Sequence, residues 1–252
     1  MQLGRVVLDG ETAPRQVVIE ETDWFTWEGD DWLAQEKGVK IENNWRLVAP
    51  LDPGKIVCVG LNYLDHVTER DANRSVPEEP VLFMKPPSSV IGPGETIRIA
   101  NPGNQTDYEA ELALVVGRTA RDVSQANWRA YVAGFTCAND VSDRTLQKKD
   151  GQWVRAKGFH TYCPVGPWIE TELDLSQAVV QSRLNGELRQ NQAVSTMLFP
   201  IPLLVEYISH IMTLDPGDLI LTGTPFNVGP MTAGDEIEVS VSGIGTLANR
   251  VQ

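Results

Sequence analysis

Residues 107–117 read DYEAELALVVG, an apolar stretch of strand-like character that carries two carboxylates two residues apart. Side chains alternate between the two faces of a strand, so Glu109 and Glu111 share a face with Ala113 and Val115. Like charges that lie against a protein interior repel each other and lose hydration, and they persist only if they are protonated, paired or bound to a cation. The spacing predicts either a cation site or a half-exposed strand whose carboxylates face water.

A third carboxylate, Asp140, ends a second apolar run, residues 131–139. Together with Glu109 and Glu111 it would place three hard oxygen ligands on two rigid elements. The set contains no histidine or cysteine, so it suits Mg²⁺ or Mn²⁺, with Ca²⁺ also possible, better than zinc. The spacing alone leaves the solvent-facing alternative open.

Composition narrows the class of protein. The chain has 252 residues, 34 acidic and 21 basic side chains, and a formal net charge of −13. This length suits one sizeable domain, or a large domain with a small appendage. No basic cluster is available to follow a phosphate backbone, and no apolar segment approaches the ~18 residues of a membrane-spanning helix. Because residues 1–16 also lack the apolar centre of a signal peptide, we expect a cytoplasmic protein that binds neither nucleic acid nor membrane.

The three cysteines, Cys58, Cys137 and Cys163, form an odd and widely spaced set. Their spacing fits neither a zinc site nor a disulfide framework. We expect three buried free thiols.

Proline and glycine divide the chain into two parts. Residues 1–48 hold short strand-like pieces and four tryptophans, and they predict a small β-rich N-terminal domain. The sequence APLDPG at residues 49–54 disfavours a continuous helix or central strand and predicts the junction. Residues 49–252 then form the larger domain.

The larger domain is predicted to be mostly strands. Asn185-Gly186 predicts a two-residue hairpin turn, because both residues tolerate positive φ. Two helices are expected, from Ser124 through Val132 and from Ile201 through Met212. Without regular βαβ alternation, the pattern predicts an α+β, mostly β fold built from a mixed sheet rolled on itself, and it excludes a Rossmann or TIM architecture. The predicted strands are 56–60, 81–84, 111–116, 179–184, 218–222 and 236–241.

The histidines supply a candidate general base. His66 and Glu69 share a face if they lie on one helical turn, and the carboxylate can then orient the imidazole. The alternative is a solvated histidine at the exit of a strand. His210 is expected to be packed or at the surface, whereas His160 remains a candidate because it lies close to Lys157.

Six sequence motifs follow one another in the order seen in the fumarylacetoacetate hydrolase superfamily. Among the members of that superfamily, the chain most resembles the bacterial 2-hydroxyhepta-2,4-diene-1,7-dioate isomerases and acylpyruvases. The resemblance implies a mixed β-sandwich roll, or pseudo-barrel, as the catalytic domain after a small N-terminal domain. It also implies a homodimer. The motifs are GLNYLDHVTE (60–69), VLFMKPPSSVIGPG (81–94), DYEAELALVVG (107–117), YVAGFTCANDVSDRTLQ (131–147), QWVRAKGFHTYCPVGPW (152–168) and LTGTPFNVG (221–229).

The resemblance assigns roles to individual residues. It implies that Glu109, Glu111 and Asp140 are ligands of Mg²⁺ or Mn²⁺, and that residues 70–80 act as a lid over bound substrate. Related sequences often have Asp where this chain has His160, a departure that affects the charge near the family lysine. The implied catalytic residues are His66, Glu69 and Lys157, and the implied substrate-binding residues are Arg144, Gln147, Gly223 and Thr224.

The resemblance implies that the substrate is a 2-oxo or 2-hydroxydienoic diacid. Its carboxylate and adjacent carbonyl can chelate a divalent cation, which stabilises an enolate. His66 would move a proton in an isomerase or activate water in a hydrolase. Lys157 would neutralise charge on the substrate; Lys85 is expected at the surface, with a contribution to the site as the alternative.

The leading prediction is 2-hydroxyhepta-2,4-diene-1,7-dioate isomerase, 5-oxopent-3-ene-1,2,5-tricarboxylate decarboxylase or both, in aromatic catabolism. The alternatives are acylpyruvate hydrolase or oxaloacetate decarboxylase, and a non-catalytic binding protein.

Overall fold

The computed structural model describes residues 1–42, 44–69 and 75–252. Within these residues, five strands come from the N-terminal part, and fifteen strands with four short α-helices follow. The N-terminal strands are β1 (Gln2–Leu8), β2 (Arg15–Glu20), β3 (Asp23–Glu28), β4 (Glu36–Lys40) and β5 (Trp45–Leu47). The following elements are β6 (Ile56–Gly60), α1 (Leu64–Thr68), β7 (Val81–Lys85), β8 (Val90–Ile91), β9 (Thr96–Ile97), β10 (Thr106–Tyr108), β11 (Ala110–Val116), β12 (Val132–Asn139), β13 (Ser142–Asp143), α2 (Arg144–Lys149), α3 (Val154–Lys157), β14 (Cys163–Glu170), β15 (Val179–Leu184), β16 (Glu187–Ala193), α4 (Ile201–Ile211), β17 (Leu219–Leu221), β18 (Gly229–Pro230), β19 (Glu236–Val241) and β20 (Gly245–Val251).

Three sheets organise these strands, and none of the described sheets closes as a barrel. The largest runs β4-β3-β2-β1-β14-β12-β11-β17-β6-β7, with β5 on β1 and β8 on β14. A second sheet runs β16-β15-β19-β20-β9, and a short third runs β13-β10-β18. Most pairs are antiparallel, whereas β17 with β6, β14 with β8 and β20 with β9 are parallel. The predicted α+β, mostly β class with mixed sheets is confirmed.

Strand β11 lies at the centre of the core and is buried along its whole length. On one face, Leu112 and Leu114 join the core cluster that includes strands β15 and β19 and helix α4. On the other face, Ala113 and Val115 join a cluster that includes β6 and β17. Burial on both faces makes β11 a rigid base for the side chains at its N-terminal end.

Most sequence-based elements are confirmed. All six strands predicted in the larger domain form, and α4 covers the predicted second helix. The turn at Asn185 and Gly186 has φ values of 53° and 79°, and Leu184 pairs with Glu187 across it. The three cysteines are free and buried, as expected. Among the described residues, no helix is long and apolar enough to cross a membrane.

The helix predicted from Ser124 through Val132 is wrong. Only a single 3₁₀ turn forms, at Trp128–Tyr131, and β12 begins at Val132. Gly134, expected to stop a helix, instead lies inside β12, where an added Cβ would come 2.5 Å from the Glu170 carbonyl oxygen. At the end of the predicted helix, Val132 pairs with Val116 of β11 and the Tyr131 carbonyl accepts a hydrogen bond from the Gly117 amide, so these backbone groups bond to the neighbouring strand segment and not within a helix.

The N-terminal strands extend the largest sheet. Strand β1 pairs with β14, with Leu3 opposite Ile169. Leu3 and Val18 also belong to the same core cluster as Cys58 and Val115. The division between residues 1–48 and 49–252 stays a prediction.

Candidate active site

Three carboxylates meet at the N-terminal end of β11. Glu109 lies in the short break between β10 and β11, Glu111 lies in β11, and Asp140 directly follows the adjacent strand β12. The Asp140 amide donates to the Glu109 carbonyl at 2.9 Å, which joins the two segments. One ligand atom from each carboxylate lies within 4.8 Å of the others, and all three residues are buried. The alternative of a half-exposed strand with solvent-facing carboxylates is therefore wrong.

Three buried cations surround this cluster. Lys157 Nζ lies 2.6 Å from Glu109 Oε2 and 2.5 Å from Asp140 Oδ2, and Lys85 Nζ lies 2.6 Å from Asp140 Oδ1. Arg144 pairs with Glu109 and donates from Nε to Asp107 Oδ2 at 2.7 Å. Burial would raise the pKa of Glu109, but the positive charges of Arg144 and Lys157 outweigh it and hold that pKa well below its usual range.

Lys85 corrects the expectation of a surface lysine. It is 2% exposed and also donates to the Val141 carbonyl at 3.2 Å. Its position at the end of β7 brings the ammonium group to Asp140. Buried charges need partners of opposite sign, and this pairing explains why a lysine is accommodated here.

Glu111 is the member of the cluster that lacks a counterion. Among the described residues it forms no ion pair, and its Oε2 accepts a hydrogen bond from the Gly223 amide at 2.7 Å. Burial, followed by the charges of Asp140 and Glu109, raises the pKa of Glu111 well above its usual range. An added cation next to Glu111 would relieve both the repulsion and the desolvation.

The chemistry of this donor set fits a divalent cation. Among the described residues, Lys85, Lys157 and Arg144 pair with Asp140 and Glu109, whereas Glu111 has no counterion. The three carboxylates supply hard oxygen ligands, the kind that Mg²⁺, Mn²⁺ and Ca²⁺ prefer. Glu109, Glu111 and Asp140 are the residues that would hold the ion.

His66, on helix α1, and Glu69, which directly follows the helix, form the predicted pair. His66 Nδ1 lies 2.8 Å from Glu69 Oε2, and both side chains are 14% exposed. A proton on Nδ1 bonds to the carboxylate and leaves Nε2 as the basic nitrogen. Because His66 and all three carboxylates line the same cavity, the base and the candidate metal site can act on one bound molecule.

Asn227 fixes the position of Glu69 and was missed by sequence reasoning. The backbone amide of Asn227 donates to Glu69 Oε1 at 2.9 Å, and Asn227 has a left-handed φ of 73°. Tyr108 Oη donates to the Asn227 carbonyl at 3.2 Å, and the Asn227 side chain donates to the Arg189 carbonyl at 2.5 Å. The left-handed φ at a non-glycine residue marks a locally constrained backbone.

Gly223 and Thr224 lie beside the cluster. The Gly223 amide bonds to Glu111, and a Cβ at this position would come 2.7 Å from Asn62 Cβ. Thr224 lines the cavity, where its hydroxyl donates to the Ala110 carbonyl at 2.9 Å and accepts from Gln190 Nε2 at 2.8 Å. The structure brings both residues to the site, and their contact with a substrate stays a prediction.

The cavity has a volume of about 280 Å³, near the lower end of the range for small-molecule sites. The predicted residues Arg144, Gln147 and Lys157 line it. Its apolar wall includes Phe83 and Trp153, whose rings meet edge to face at a centroid distance of 5.2 Å. Both aromatic residues lie within family motifs, at 81–94 and 152–168, but no pattern in the neighbouring sequence indicates that their side chains line a cavity.

Two sequence-based candidates stand apart from the cavity. His160 is exposed, with Nδ1 3.3 Å from the Ser88 carbonyl oxygen, and it does not line the cavity. His210 is exposed on α4, as expected. Of the predicted lid at 70–80, residues 70–74 lie outside the described residues.

Comparison with known proteins identifies similar chains. Residues 55–252 match the family described as fumarylacetoacetate (FAA) hydrolase, C-terminal. The solved 5-carboxymethyl-2-hydroxymuconate delta-isomerase from Mycobacterium smegmatis is 39% identical, with a TM-score of 0.87 over 100% of this chain and 99% of that one. The 2-hydroxyhepta-2,4-diene-1,7-dioate isomerase from Mycobacterium marinum is 38% identical, with a TM-score of 0.87 over 100% and 98%. The mitochondrial oxaloacetate tautomerase fahd2 of Xenopus laevis is 39% identical over 232 residues, which are 87% of this chain and 72% of that protein.

Proposed function

The chain belongs to the fumarylacetoacetate (FAA) hydrolase family, and we propose that it is a divalent-metal-dependent isomerase of a 2-hydroxydienoic or 2-oxo diacid. The observation that carries this proposal is one cavity that contains both the Glu109, Glu111 and Asp140 cluster and the base His66. The substrate that fits best is 2-hydroxyhepta-2,4-diene-1,7-dioate. The named activities of the two mycobacterial relatives support this choice.

The electrostatics support an anionic substrate. When bound, Mg²⁺ or Mn²⁺ would supply Lewis-acid stabilisation of the negative charge that develops on an oxo-acid oxygen. A divalent ion would add positive charge next to Glu111, which has no counterion among the described residues. A carboxylate can then enter a cavity that would otherwise repel it, in a chain of formal charge −13.

The chain's own groups divide the remaining work. His66 Nε2 accepts a proton from the substrate and returns it at another position, so that isomerisation leaves the composition of the substrate unchanged. Glu69 contacts His66 Nδ1 at 2.8 Å and so orients the imidazole. Lys157 holds Glu109 and Asp140 in place. Burial lowers the pKa of Lys157, but the negative charges of Asp140 and Glu109 raise this pKa by more, so the lysine stays protonated.

A second candidate is tautomerisation of oxaloacetate. It is favoured by the 39% identity to the Xenopus laevis protein of that name and by the small volume of the cavity. The same groups serve both reactions, because each moves one proton next to an oxo-acid group. The two candidates differ in the length of the substrate.

Turnover assays with added Mg²⁺, and separately Mn²⁺, test the proposal. The substrates are the seven-carbon hydroxydiene diacid, oxaloacetate and an acylpyruvate, each followed by ultraviolet absorbance. We expect metal-dependent isomerisation of the diacid that stops when EDTA is added. Turnover of oxaloacetate alone would favour the second candidate, and cleavage of the acylpyruvate would show a hydrolase. Turnover of the diacid at an undiminished rate in EDTA would contradict the metal requirement.

A further inference from the structure

Helix α2 (Arg144–Lys149) presents a row of polar side chains to the cavity. Arg144, Gln147 and Lys148 are spaced i, i+3 and i+4, which places them on one face of the helix. All three line the cavity. Arg144 is 4% exposed, Gln147 is half-buried and Lys148 is exposed, so the row leads from the buried carboxylate cluster to the mouth of the cavity.

The cations along this cavity differ in whether they are already paired. Arg144 pairs with Asp107 and Glu109, and Lys157 pairs with Glu109 and Asp140. Lys148 forms no ion pair with any residue that the structure describes. Among the described residues that line the cavity, Lys148 is therefore the cation whose charge remains available for an incoming anion.

The spacing of the row matches a substrate with charge at both ends. Four residues along an α-helix advance about 6 Å, which is the reach of a short carbon chain. An oxo-acid group placed at the carboxylate cluster would therefore direct a second carboxylate toward Lys148. Between these ends, the edge-to-face pair of Phe83 and Trp153 offers an apolar wall to the carbon chain.

We propose that Lys148 binds the distal carboxylate of the substrate and so selects 2-oxo diacids over 2-oxo monoacids. This inference rests on the proposed function, because it takes the oxo-acid end to lie at the carboxylate cluster. It goes further by assigning the second charge of the substrate to a particular side chain. Lys149 is the neighbouring exposed lysine and does not line the cavity, so it provides a matched control.

The experiment compares Lys148→Ala, Lys148→Arg and Lys149→Ala with the unchanged protein. Each is assayed with the hydroxydiene diacid and with its analogue in which an amide replaces the distal carboxylate. We expect Lys148→Ala to raise KM for the diacid about fivefold, with kcat within twofold and KM for the amide unchanged. Lys148→Arg should restore the low KM, and Lys149→Ala should have no effect.

Binding provides a readout that does not depend on turnover. The affinities of 2-oxoadipate and 2-oxohexanoate are measured by thermal shift in the presence of Mg²⁺. The proposal predicts that the unchanged protein prefers the diacid and that Lys148→Ala loses about fivefold of that preference. An equal preference in both proteins overturns the role of Lys148. Absence of turnover for every substrate, with the preference intact and sensitive to Lys148→Ala, overturns the proposed reaction and leaves the carboxylate site standing.

Discussion

Replacing Glu111 by Gln should stabilise the metal-free protein and abolish its stabilisation by metal. Glu111 is 1% exposed, and ligand atoms of the three carboxylates lie within 4.8 Å of one another. At that separation two unit charges repel by about 3.5 kcal/mol when the effective dielectric constant is about 20. Glutamine removes this charge, and its amide oxygen can still accept the hydrogen bond from the Gly223 amide.

Protonation of Glu111 in the unchanged protein sets an upper limit on the stability that Glu111→Gln can add. Keeping a carboxyl with an ordinary pKa of 4.5 neutral at pH 7 costs about 1.4 kcal/mol per pH unit, or about 3.4 kcal/mol in all. The raised pKa of Glu111 in the folded protein means that stability is lost as the pH rises above the unfolded value. The advantage of Glu111→Gln should therefore be largest near neutral pH and should vanish near pH 4.5.

Thermal unfolding in EDTA and in Mg²⁺ or Mn²⁺ measures both effects. In EDTA at pH 7 we expect Glu111→Gln to be up to about 3 kcal/mol more stable than the unchanged protein, a rise in Tm of several degrees. Metal at a hundred times its Kd stabilises the unchanged protein by about 2.7 kcal/mol and should not stabilise the variant. Glu172→Gln makes the same change at an exposed position outside the cavity and is the control. A variant that is less stable in EDTA, or that keeps the metal-dependent shift, would refute this account of the cluster.

The position of the carboxylates could be predicted from the sequence because strand geometry is local. The alternation of side chains along residues 107–117 brings Glu109 and Glu111 together, and the end of the next strand adds Asp140. The i, i+3 spacing of His66 and Glu69 likewise determines a contact within one helical turn. The contacts of Glu109 with Glu111 and of His66 with Glu69 need only the secondary structure of a few neighbouring residues, whereas the approach of Asp140 depends on the pairing of β11 with β12.

The charge balance of the site could not be predicted in the same way. Lys157 is 48 residues from Glu109 along the chain, and Lys85 is 55 residues from Asp140. A lysine in a short strand is usually exposed, so only the packing of β7 against the cluster reveals that Lys85 is buried. The lack of a counterion at Glu111 depends on all of these long-range placements together.

Backbone constraints escaped sequence reasoning for a related reason. The bond from Asn227 to Glu69 joins residues 158 positions apart and depends on a left-handed φ that asparagine tolerates but does not require. The helix predicted at 124–132 fails in the reverse way: only a 3₁₀ turn forms at Trp128–Tyr131, and Val132 at the end of the segment pairs with Val116 of β11. Motif order therefore identifies the family, whereas the tertiary structure shows which side chains hold the catalytic groups in place.

Three further predictions test the base, the thiols and the backbone constraint. His66→Ala should lower turnover by about 10²-fold or more and leave metal-dependent stabilisation unchanged, as measured by kinetics and thermal shift; near-normal turnover would exclude the proposed base. Burial raises the pKa of Cys137 and Cys163 to about 12, so a thiol reagent at pH 8 should react with these two thiols only after denaturation. The stability of the protein should also fall as the pH rises from about 9 toward 12, because the unfolded state loses these protons at a lower pH than the folded state. Asn227→Gly keeps the left-handed backbone and should leave kcat within about twofold. Asn227→Val should lower kcat about tenfold with little change in KM, because a β-branched residue is strained at a φ of 73° and displaces the backbone amide that holds Glu69. Equal kcat values for the two variants, with both folded by thermal unfolding, would show that this amide does not position the catalytic pair.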